Sequence, residues 1–545
     1  MQPSYASGVS EAPLLGETIG QSLESAARRW PGVEALVARH QELRYTWAEL
    51  NDEVDRVARG LIALGLEKGD RLGIWSPNCA EWVLIQFATA KAGIVLVNIN
   101  PAYRTSELEY ALRHSGCRWL VAAPSFKTSD YKAMIEQVRP DVGTLEHVVL
   151  LGSSQWDEVL ATGAAAGPDR LRERMAELDP DDAINIQYTS GTTGAPKGAT
   201  LTHHNILNNG FFVSELCRHT ETDRVCIPVP FYHCFGMVMG NLGCVTHGAC
   251  MVLPAPAFEP GPVLEAVAAE RCTSLYGVPT MFIAELGHPD FDSYDLTSLR
   301  TGIMAGSPCP TEVMKQVIDK MHMAEVTICY GMTETSPVST QTRADDELER
   351  RVGTVGRVHP HVEVKVVDPA DGRMVARGEP GELCTRGYSV MRGYWDDAER
   401  TAEAIDAGGW MHTGDLATMD EQGYLKIVGR SKDMIIRGGE NVYPREIEEF
   451  LYSHPDVADV AVVGVPDERY GEAVMAWIVP KQGASLDGDA IRDYCRERIA
   501  HYKVPRYVEA VDEFPMTVTG KVQKFKLRDM AIEQLDLGAA VVETA

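Results

Sequence analysis

The chain is 545 residues long, 45% hydrophobic and 24% charged, which describes globular material with core enough for more than one domain. Its 51 Lys and Arg face 78 Asp and Glu, a net charge of -27. That balance argues against a nucleic-acid protein held by phosphate contacts and against anionic membrane surfaces, so an anionic ligand must meet a local basic patch. The twelve cysteines show no Cys-x-x-Cys pair and no compact His/Cys cluster, so neither a zinc site nor a disulfide framework is expected, and a reducing cytoplasm fits them. No Lys or Arg precedes Arg28, so no cleaved targeting segment is expected.

A helix is predicted over 19–30, and another opens at Tyr45-Thr46-Trp47, with Thr46 as cap and Glu49 three residues later. Strand and helix then alternate: strand 71–75, helix 80–93, strand 94–98, helix 105–115, strand 119–122. Such alternation predicts a mostly parallel α/β sheet. Residues 152–182, with glycines at 163 and 167 and many charges, read as surface connection with one charged helix. They lead into the alternating strand 183–187.

That strand delivers Tyr188-Thr-Ser-Gly-Thr-Thr-Gly-Ala-Pro-Lys197-Gly198. Four hydroxyls, three glycines and a lysine suit a loop that wraps an anion, because glycine lets backbone N–H groups approach closely while hydroxyls and ammonium add donors. It is not a Walker P-loop, in which Lys must be followed by Ser or Thr. A surface loop rich in turn formers is the competing reading. Residues 197–202 continue as a second strand, and a helix starts near His203-His204, a pair that reads as helix-start polarity rather than a metal site.

Between Arg224 and Glu259 there is no Asp, Glu, Lys or Arg. Asn241, Thr246, His247 and several glycines interrupt this segment and Pro228, Pro230, Pro254 and Pro256 flank it, so a membrane helix is not expected. It packs a core or lines an apolar ligand pocket, and His233 taken alone reads as a core histidine. Strand ends with glycine follow at 274–279 and 302–306, the place where α/β sheets hold ligands. Then 327–330 runs into Gly331-Met332-Thr333-Glu334, whose hydroxyl and carboxylate offer a phosphate donor and a hard oxygen ligand. Residues 362–387 read as a small antiparallel β unit. A domain boundary is placed near Lys432. Beyond it lie a loop at 437–441, helices 444–453 and 490–500, strands 458–465 and 472–479, and a glycine turn that presents Lys521.

Together, Tyr188-Thr-Ser-Gly-Thr-Thr-Gly-x-Pro-Lys-Gly, Tyr330-Gly-Met-Thr-Glu, Thr413-Gly-Asp, Gly429-Arg-x-Lys-Asp and Thr519-Gly-Lys stand in the order seen in adenylate-forming enzymes. Over nearly its whole length the chain resembles an acyl-CoA synthetase (fatty-acyl-CoA ligase) of that AMP-binding superfamily, in its medium- and long-chain branch. The resemblance implies an α/β fold: a large N-terminal domain, 1–431, of α/β sheets plus the small β unit, and a small mobile α+β C-terminal domain, 432–545, rotating about a hinge at Lys432. The implied reaction activates a fatty acid with ATP, through an acyl adenylate, to its CoA thioester. ATP, a carboxylic acid and CoA are the expected partners, Mg2+ the cofactor, and the cytoplasm the compartment. Nucleic acid and an integral membrane segment are not expected, and a homodimer is compatible.

By the same resemblance, Thr189, Ser190, Gly191, Thr192, Thr193, Gly194 and Lys197 cradle the β- and γ-phosphates. Thr333 contacts the α-phosphate and Glu334 holds the magnesium. Tyr330 stacks on adenine beside Ala305, Gly306 and Gly331, while Asp415 and Arg430 take the ribose hydroxyls. Lys521 bridges substrate carboxylate and α-phosphate, then leaves as rotation about Lys432 brings Gly438 and Gly439 against the pantetheine. His233 gates the carboxylate end, and Phe235, Gly236, Gly277 and Val278 line the acyl tunnel. Amino-acid-activating relatives place an aspartate in the segment that matches 231–236. Its absence here favours an uncharged acyl chain over an amino acid. A fatty-acyl-AMP ligase that loads a carrier protein, or a ligase for an aryl acid, is the alternative.

Overall fold

The computed structural model describes residues 2–189, 196–430, 433–437, 440–467, 470–484, 486–496, 498–517 and 521–537. The helix Trp47–Ala63 shows how local sequence sets local structure. The Thr46 hydroxyl accepts from the Glu49 N–H at 3.3 Å and the Glu49 carboxylate accepts from the Thr46 N–H at 2.8 Å, so two otherwise orphaned donors are satisfied as the motif requires.

Among the described residues, one seven-stranded sheet runs in the order Gly393–Tyr394, Lys197–Thr202, Ala183–Thr189, Val95–Asn98, Arg71–Trp75, Trp119–Ala122, His147–Leu150. Its strands from Ala183–Thr189 onward are parallel, and the first two pairings are antiparallel. A nine-stranded sheet stands against it, with the parallel run Thr301–Ala305, Ser274–Gly277, Arg224–Cys226, Cys250–Leu253 near its centre. The largest core lies between the two sheets and takes side chains from both. The helix Ala80–Ala92 sits within it and is buried nearly all round. Its Lys91 is 0% exposed and is tolerated because its ammonium reaches Asn51 at 2.7 Å and the carboxylate of Asp55.

The small β unit is a five-stranded sheet that recruits Tyr5–Ser7 onto the edge of Val362–Val367, a pairing across the length of the N-terminal body that no local pattern announces. Beyond residue 432, Val457–Asp467 and Gly471–Pro480 form a long antiparallel pair that the helix Pro444–Tyr452 packs against, with Tyr507–Ala510 parallel on the far edge. The α/β architecture with a small C-terminal α+β domain is thus as expected.

Three details differ. Residues 152–182 hold two helices, Ser154–Ala165 and Asp169–Ala176, not one in a surface connection. Gly163 is there for packing: a Cβ on it would lie 1.8 Å from the Arg56 carbonyl of the neighbouring helix. The loop at 437–441 is flanked by a hairpin, Ile435–Arg437 against Glu440–Val442. The second C-terminal helix is described over Gly488–Arg496, and residues 498–500, which were expected in it, lie outside any helix.

Candidate active site

The anion-loop candidate leaves one strand of an antiparallel hairpin and returns on the other, with Thr189 paired to Lys197 and Tyr188 to Gly198. Both stems are pinned. The Tyr110 hydroxyl donates to the Pro196 carbonyl at 3.0 Å, the Tyr188 hydroxyl donates to the Ala111 carbonyl at 3.1 Å, and the Trp395 N–H donates to the Gly198 carbonyl at 2.7 Å. Ser190, Gly191, Thr192, Thr193 and Gly194, from the tip, lie outside the described residues, as do Lys432, Gly438 and Gly439.

Lys197 stands over the ring of Tyr394, with Nζ 4.9 Å from its centroid, and the Tyr394 hydroxyl donates to Glu334 Oε1 at 2.9 Å. One tyrosine thus links the loop lysine to the candidate metal carboxylate. Sequence reasoning missed Tyr394. Its only local signal is the two-residue strand Gly393–Tyr394, which pairs to Lys197–Thr202 from almost two hundred residues away.

Glu334 and Thr333 are 6% and 9% exposed and sit on a short turn after the strand Glu325–Gly331. The Met391 N–H donates to the Glu334 carbonyl at 2.9 Å. Gly331 is required there, since a Cβ would meet the Pro337 carbonyl at 1.8 Å. The strand's last aromatic, Tyr330, donates its hydroxyl to Asp415 Oδ2 at 2.7 Å, and Arg430 Nε lies 3.2 Å from Asp415 Oδ1. Burial and the Asp415 carboxylate push the Tyr330 phenol well above its ordinary range. Asp415 and Arg430 are register partners on adjacent strands. Asp415 follows a bulge at Thr413-Gly414, where Gly414 takes φ +69°.

Lys521 arrives from the C-terminal domain. Its N–H donates to the Thr517 hydroxyl at 3.0 Å, and the Thr517 N–H donates back to the Lys521 carbonyl at 2.7 Å. Burial lowers the Lys521 ammonium's pKa and the Arg430 guanidinium lowers it further, while Asp415 and Glu334 pull the other way. These opposing fields place the ammonium among the candidate ribose and metal groups. His233 feels it too: desolvation, with a contribution from the Lys521 charge, takes that imidazole down to about 3. His233 Nδ1 accepts from the Phe235 N–H at 3.2 Å, so the neutral ring keeps its proton on Nε2.

Behind His233 the charge-free segment forms a turn and then a π-helical stretch, Phe235–Leu242, a distortion frequent at functional sites. Phe235 is 5% exposed and its ring lies 5.8 Å from that of Tyr276. Gly277, next to it, leaves no room for a Cβ beside the Phe282 ring at 2.9 Å. Val278 stands next to Gly306, where a Cβ would come within 3.1 Å of Val278 Cγ1 at a φ of +90°. Gly306 follows Ala305, the last residue of its strand. Gly236 answers to the backbone, because a Cβ there would meet the Pro230 carbonyl at 2.5 Å.

A ladder of buried amides holds this wall. Asn78 binds the Val229 carbonyl at 3.0 Å and the Phe231 N–H at 2.8 Å, Asn98 donates to the Tyr232 carbonyl at 3.1 Å, and Gln86 donates to the Met237 carbonyl at 3.1 Å. The Cys234 thiol donates to Gln187 Oε1 at 3.1 Å. Asn98 and Gln187 lie on strands, Gln86 on the helix Ala80–Ala92 and Asn78 in the loop before it.

Residues 23–395 match the family model described as AMP-binding enzyme, and residues 446–521 match the AMP-binding enzyme C-terminal domain. The chain belongs to the AMP-binding enzyme family. Its relatives within the family include acyl-CoA synthetases, as expected from the five motifs. It is 50% identical to YngI of Bacillus subtilis (strain 168), assigned as an acyl-CoA synthetase, over 97% of this chain and 100% of that one. It is 46% identical to the mitochondrial medium-chain acyl-CoA ligase ACSF2 of Bos taurus, over 98% and 91%. The ATP-bound structure of MatB from Rhodopseudomonas palustris superposes with a TM-score of 0.83 at 31% identity, covering 94% of this chain and 99% of that chain.

In this member of the AMP-binding enzymes the C-terminal domain docks through Arg445, whose Nη2 donates to the Cys309 carbonyl at 3.4 Å. Lys524 Nζ, 2.6 Å from Glu448 Oε1, ties the Lys521 turn to the helix Pro444–Tyr452 that carries Arg445. No helix among the described residues is long and apolar enough to cross a membrane.

Proposed function

We propose that the protein joins a medium- or long-chain fatty acid to CoA, with ATP cleaved to AMP and pyrophosphate. The observation that carries this reading is the meeting of Lys521, Glu334 and the Asp415–Arg430 pair beside a neutral His233, at the edge of a wall without charge.

In the first half-reaction a carboxylate oxygen attacks the α-phosphorus, the bond to the β-phosphate oxygen breaks, and pyrophosphate leaves with the electron pair. Repulsion among carboxylate, triphosphate and pyrophosphate is the main barrier, so donors fixed in advance are what lower it. Lys521 bridges the carboxylate and the α-phosphate, a task suited to a compact charge on a flexible stem. Thr333 donates to the same phosphate. Thr189 through Lys197 take the β- and γ-phosphates, with Lys197 held by Tyr394. Adenine lies along Tyr330, Ala305, Gly306 and Gly331. The ribose hydroxyls meet Asp415, whose carboxylate Tyr330 and Arg430 already orient. The Nε2–H of His233 faces the acyl carboxylate without adding a charge to the apolar passage lined by Phe235, Gly236, Gly277 and Val278.

Magnesium fits Glu334, a buried carboxylate with Thr333 and Thr335 hydroxyls as chain neighbours and one oxygen anchored by Tyr394, an all-oxygen set that suits a hard cation. When bound it would offset phosphate charge as a Lewis acid. In the second half-reaction the CoA sulfur attacks the acyl carbonyl carbon and the bond to the phosphate oxygen breaks, releasing AMP. Rotation about Lys432 withdraws Lys521 and brings Gly438 and Gly439 to the thiol arm. The cytoplasm is the compartment we favour, supported by twelve free thiols.

Purified protein with ATP, Mg2+, dodecanoate and CoA is expected to release AMP only when CoA is present. Accumulation of dodecanoyl adenylate without thioester would refute the ligase reading.

A further inference from the structure

Outside the residues used above, three metal-ligating side chains converge on the small β sheet. Cys384 and His412 are register partners on the antiparallel strands Gly381–Gly387 and Met411–Met419, and Glu382 lies two residues before Cys384, on the same face. His412 Nδ1 lies 3.6 Å from Cys384 Sγ and 2.8 Å from Glu382 Oε2. All three ligand atoms fall within 4.8 Å of one another.

The spacing matches a particular chemistry. Zinc bonds of about 2.3 Å to sulfur and about 2.0 Å to nitrogen, at a tetrahedral angle, set an N···S separation of about 3.6 Å. That is the separation found. They set an N···O separation of about 3.3 Å, so the Glu382 carboxylate, now hydrogen-bonded to the ring, must retreat by about half an ångström as an ion replaces the proton. The other ring nitrogen, Nε2, faces Asp406 Oδ2 at 3.8 Å. That is beyond hydrogen-bonding distance, so Asp406 stands behind the ring as a nearby charge and not as a bonded orienting partner. The His412 side chain is 33% exposed, so the cluster lies where an ion can reach it from solvent. Sulfur with imidazole excludes magnesium and calcium as natural occupants.

We propose that Glu382, Cys384 and His412 form a binding site for a borderline-soft divalent cation, zinc foremost, and that filling it slackens the turn that carries Asp415. The link is Glu382. Its Oε1 accepts from the Gly414 N–H at 3.1 Å, and Gly414 directly precedes Asp415. On the other side of the turn, the Thr413 hydroxyl donates to the Leu383 carbonyl at 2.6 Å and accepts from the Asp415 N–H at 3.1 Å. A carboxylate that shifts by about half an ångström to admit a metal disturbs one of the hydrogen bonds that hold this bulge. The site thereby acts as a zinc-sensitive brake on nucleotide binding, and this second clause rests on the assignment of Asp415 to the ribose.

The test titrates the full-length, chelator-treated protein with Co2+, which takes zinc sites and reports thiolate ligation as a near-ultraviolet charge-transfer band. The band is expected to saturate at a single equivalent, to be displaced by Zn2+, and to vanish in both Cys384→Ala and Cys384→Ser. His412→Ala is expected to weaken Co2+ binding roughly tenfold or more. At saturating Mg2+, buffered free Zn2+ should raise the KM for ATP several-fold in the wild type and leave it unchanged in Cys384→Ala. No band, or a band that survives in both Cys384 variants, overturns the site. A filled site with an unchanged KM overturns the brake. The cobalt titration needs no turnover, so its failure is separate from any failure of the ligase reading.

Discussion

Lys521→Ala is the perturbation that most directly tests the two-step reading. The ammonium sits in a half-buried setting where Arg430 and burial both work against its charge, so holding it there has a cost that catalysis must offset. A unit charge about 4 Å from the oxygens that gain charge is worth about 4 kcal/mol at an effective dielectric of about 20, close to three decades of rate. Loss of one preorganised donor elsewhere costs about a hundred- to a thousandfold. Adenylation, followed as dodecanoate-dependent exchange of pyrophosphate into ATP, is therefore expected to fall about a thousandfold. Thioester formation from supplied dodecanoyl adenylate and CoA should stay within about threefold of wild type, because in the proposed cycle Lys521 has left the site by then. Equal loss in both assays, or an adenylation loss under tenfold, would refute the assignment.

Asp415→Asn frees the Tyr330 hydroxyl and the Arg430 guanidinium from their shared carboxylate; kcat/KM for ATP should drop roughly tenfold to a hundredfold, and an unchanged value would remove Asp415 from the ribose site. Lys432→Pro is expected to abolish thioester formation while adenylation persists, and single-turnover assays of each half-reaction decide it. For stability against acid, burial holds the fully buried His203 at about 4, below an unfolded value of about 6.5. The unfolded chain then takes up the proton first as pH falls, so stability is complete above about 6.5 and declines by up to about 3 kcal/mol toward pH 4. His203→Asn, which keeps an acceptor for the Ile19 N–H now bound to Nδ1, should flatten the dependence of Tm on pH in that window; an unaltered slope would assign the acid sensitivity to other groups.

Where neighbours in sequence decide structure, the sequence was readable. The Thr46–Glu49 cap, the helix Thr105–Ser115 and the strands Arg71–Trp75 and Trp119–Ala122 follow from periodicity and capping alone. Alternation marked the strand at 183–187 and 197–202 read as a second strand across the glycine-rich loop, while their antiparallel pairing came from the structure. Distant pairing was not readable. Tyr394 reaches Lys197 and Glu334 through a two-residue strand too short to leave a pattern, and Tyr5–Ser7 joins Val362–Val367 with no local cue. Gly163 looked like loop because glycine marks both turns and close helix contacts, and only the Arg56 carbonyl beside it tells them apart. Cys384 and His412 are twenty-eight residues apart, too far for a short local ligand motif, and strand register brings them together.

His233 allows a last test, because two causes of unequal kind set its titration. Desolvation is the larger and belongs to the N-terminal body, where the amide ladder fixes the segment before the π-helical stretch. The Lys521 charge is the smaller and belongs to a domain that, in the proposed cycle, departs between steps. A nearby cation disfavours imidazolium, so removing it must move the His233 pKa upward from about 3. Burial remains, so the value must still fall short of the ordinary 6.5. Proton NMR of the ring in Lys521→Ala is expected to show this limited rise, with the imidazole still neutral at pH 7. An unmoved titration would mean that the C-terminal domain does not bring its ammonium to His233 in solution, and the adenylation geometry drawn from their proximity would then fall with it.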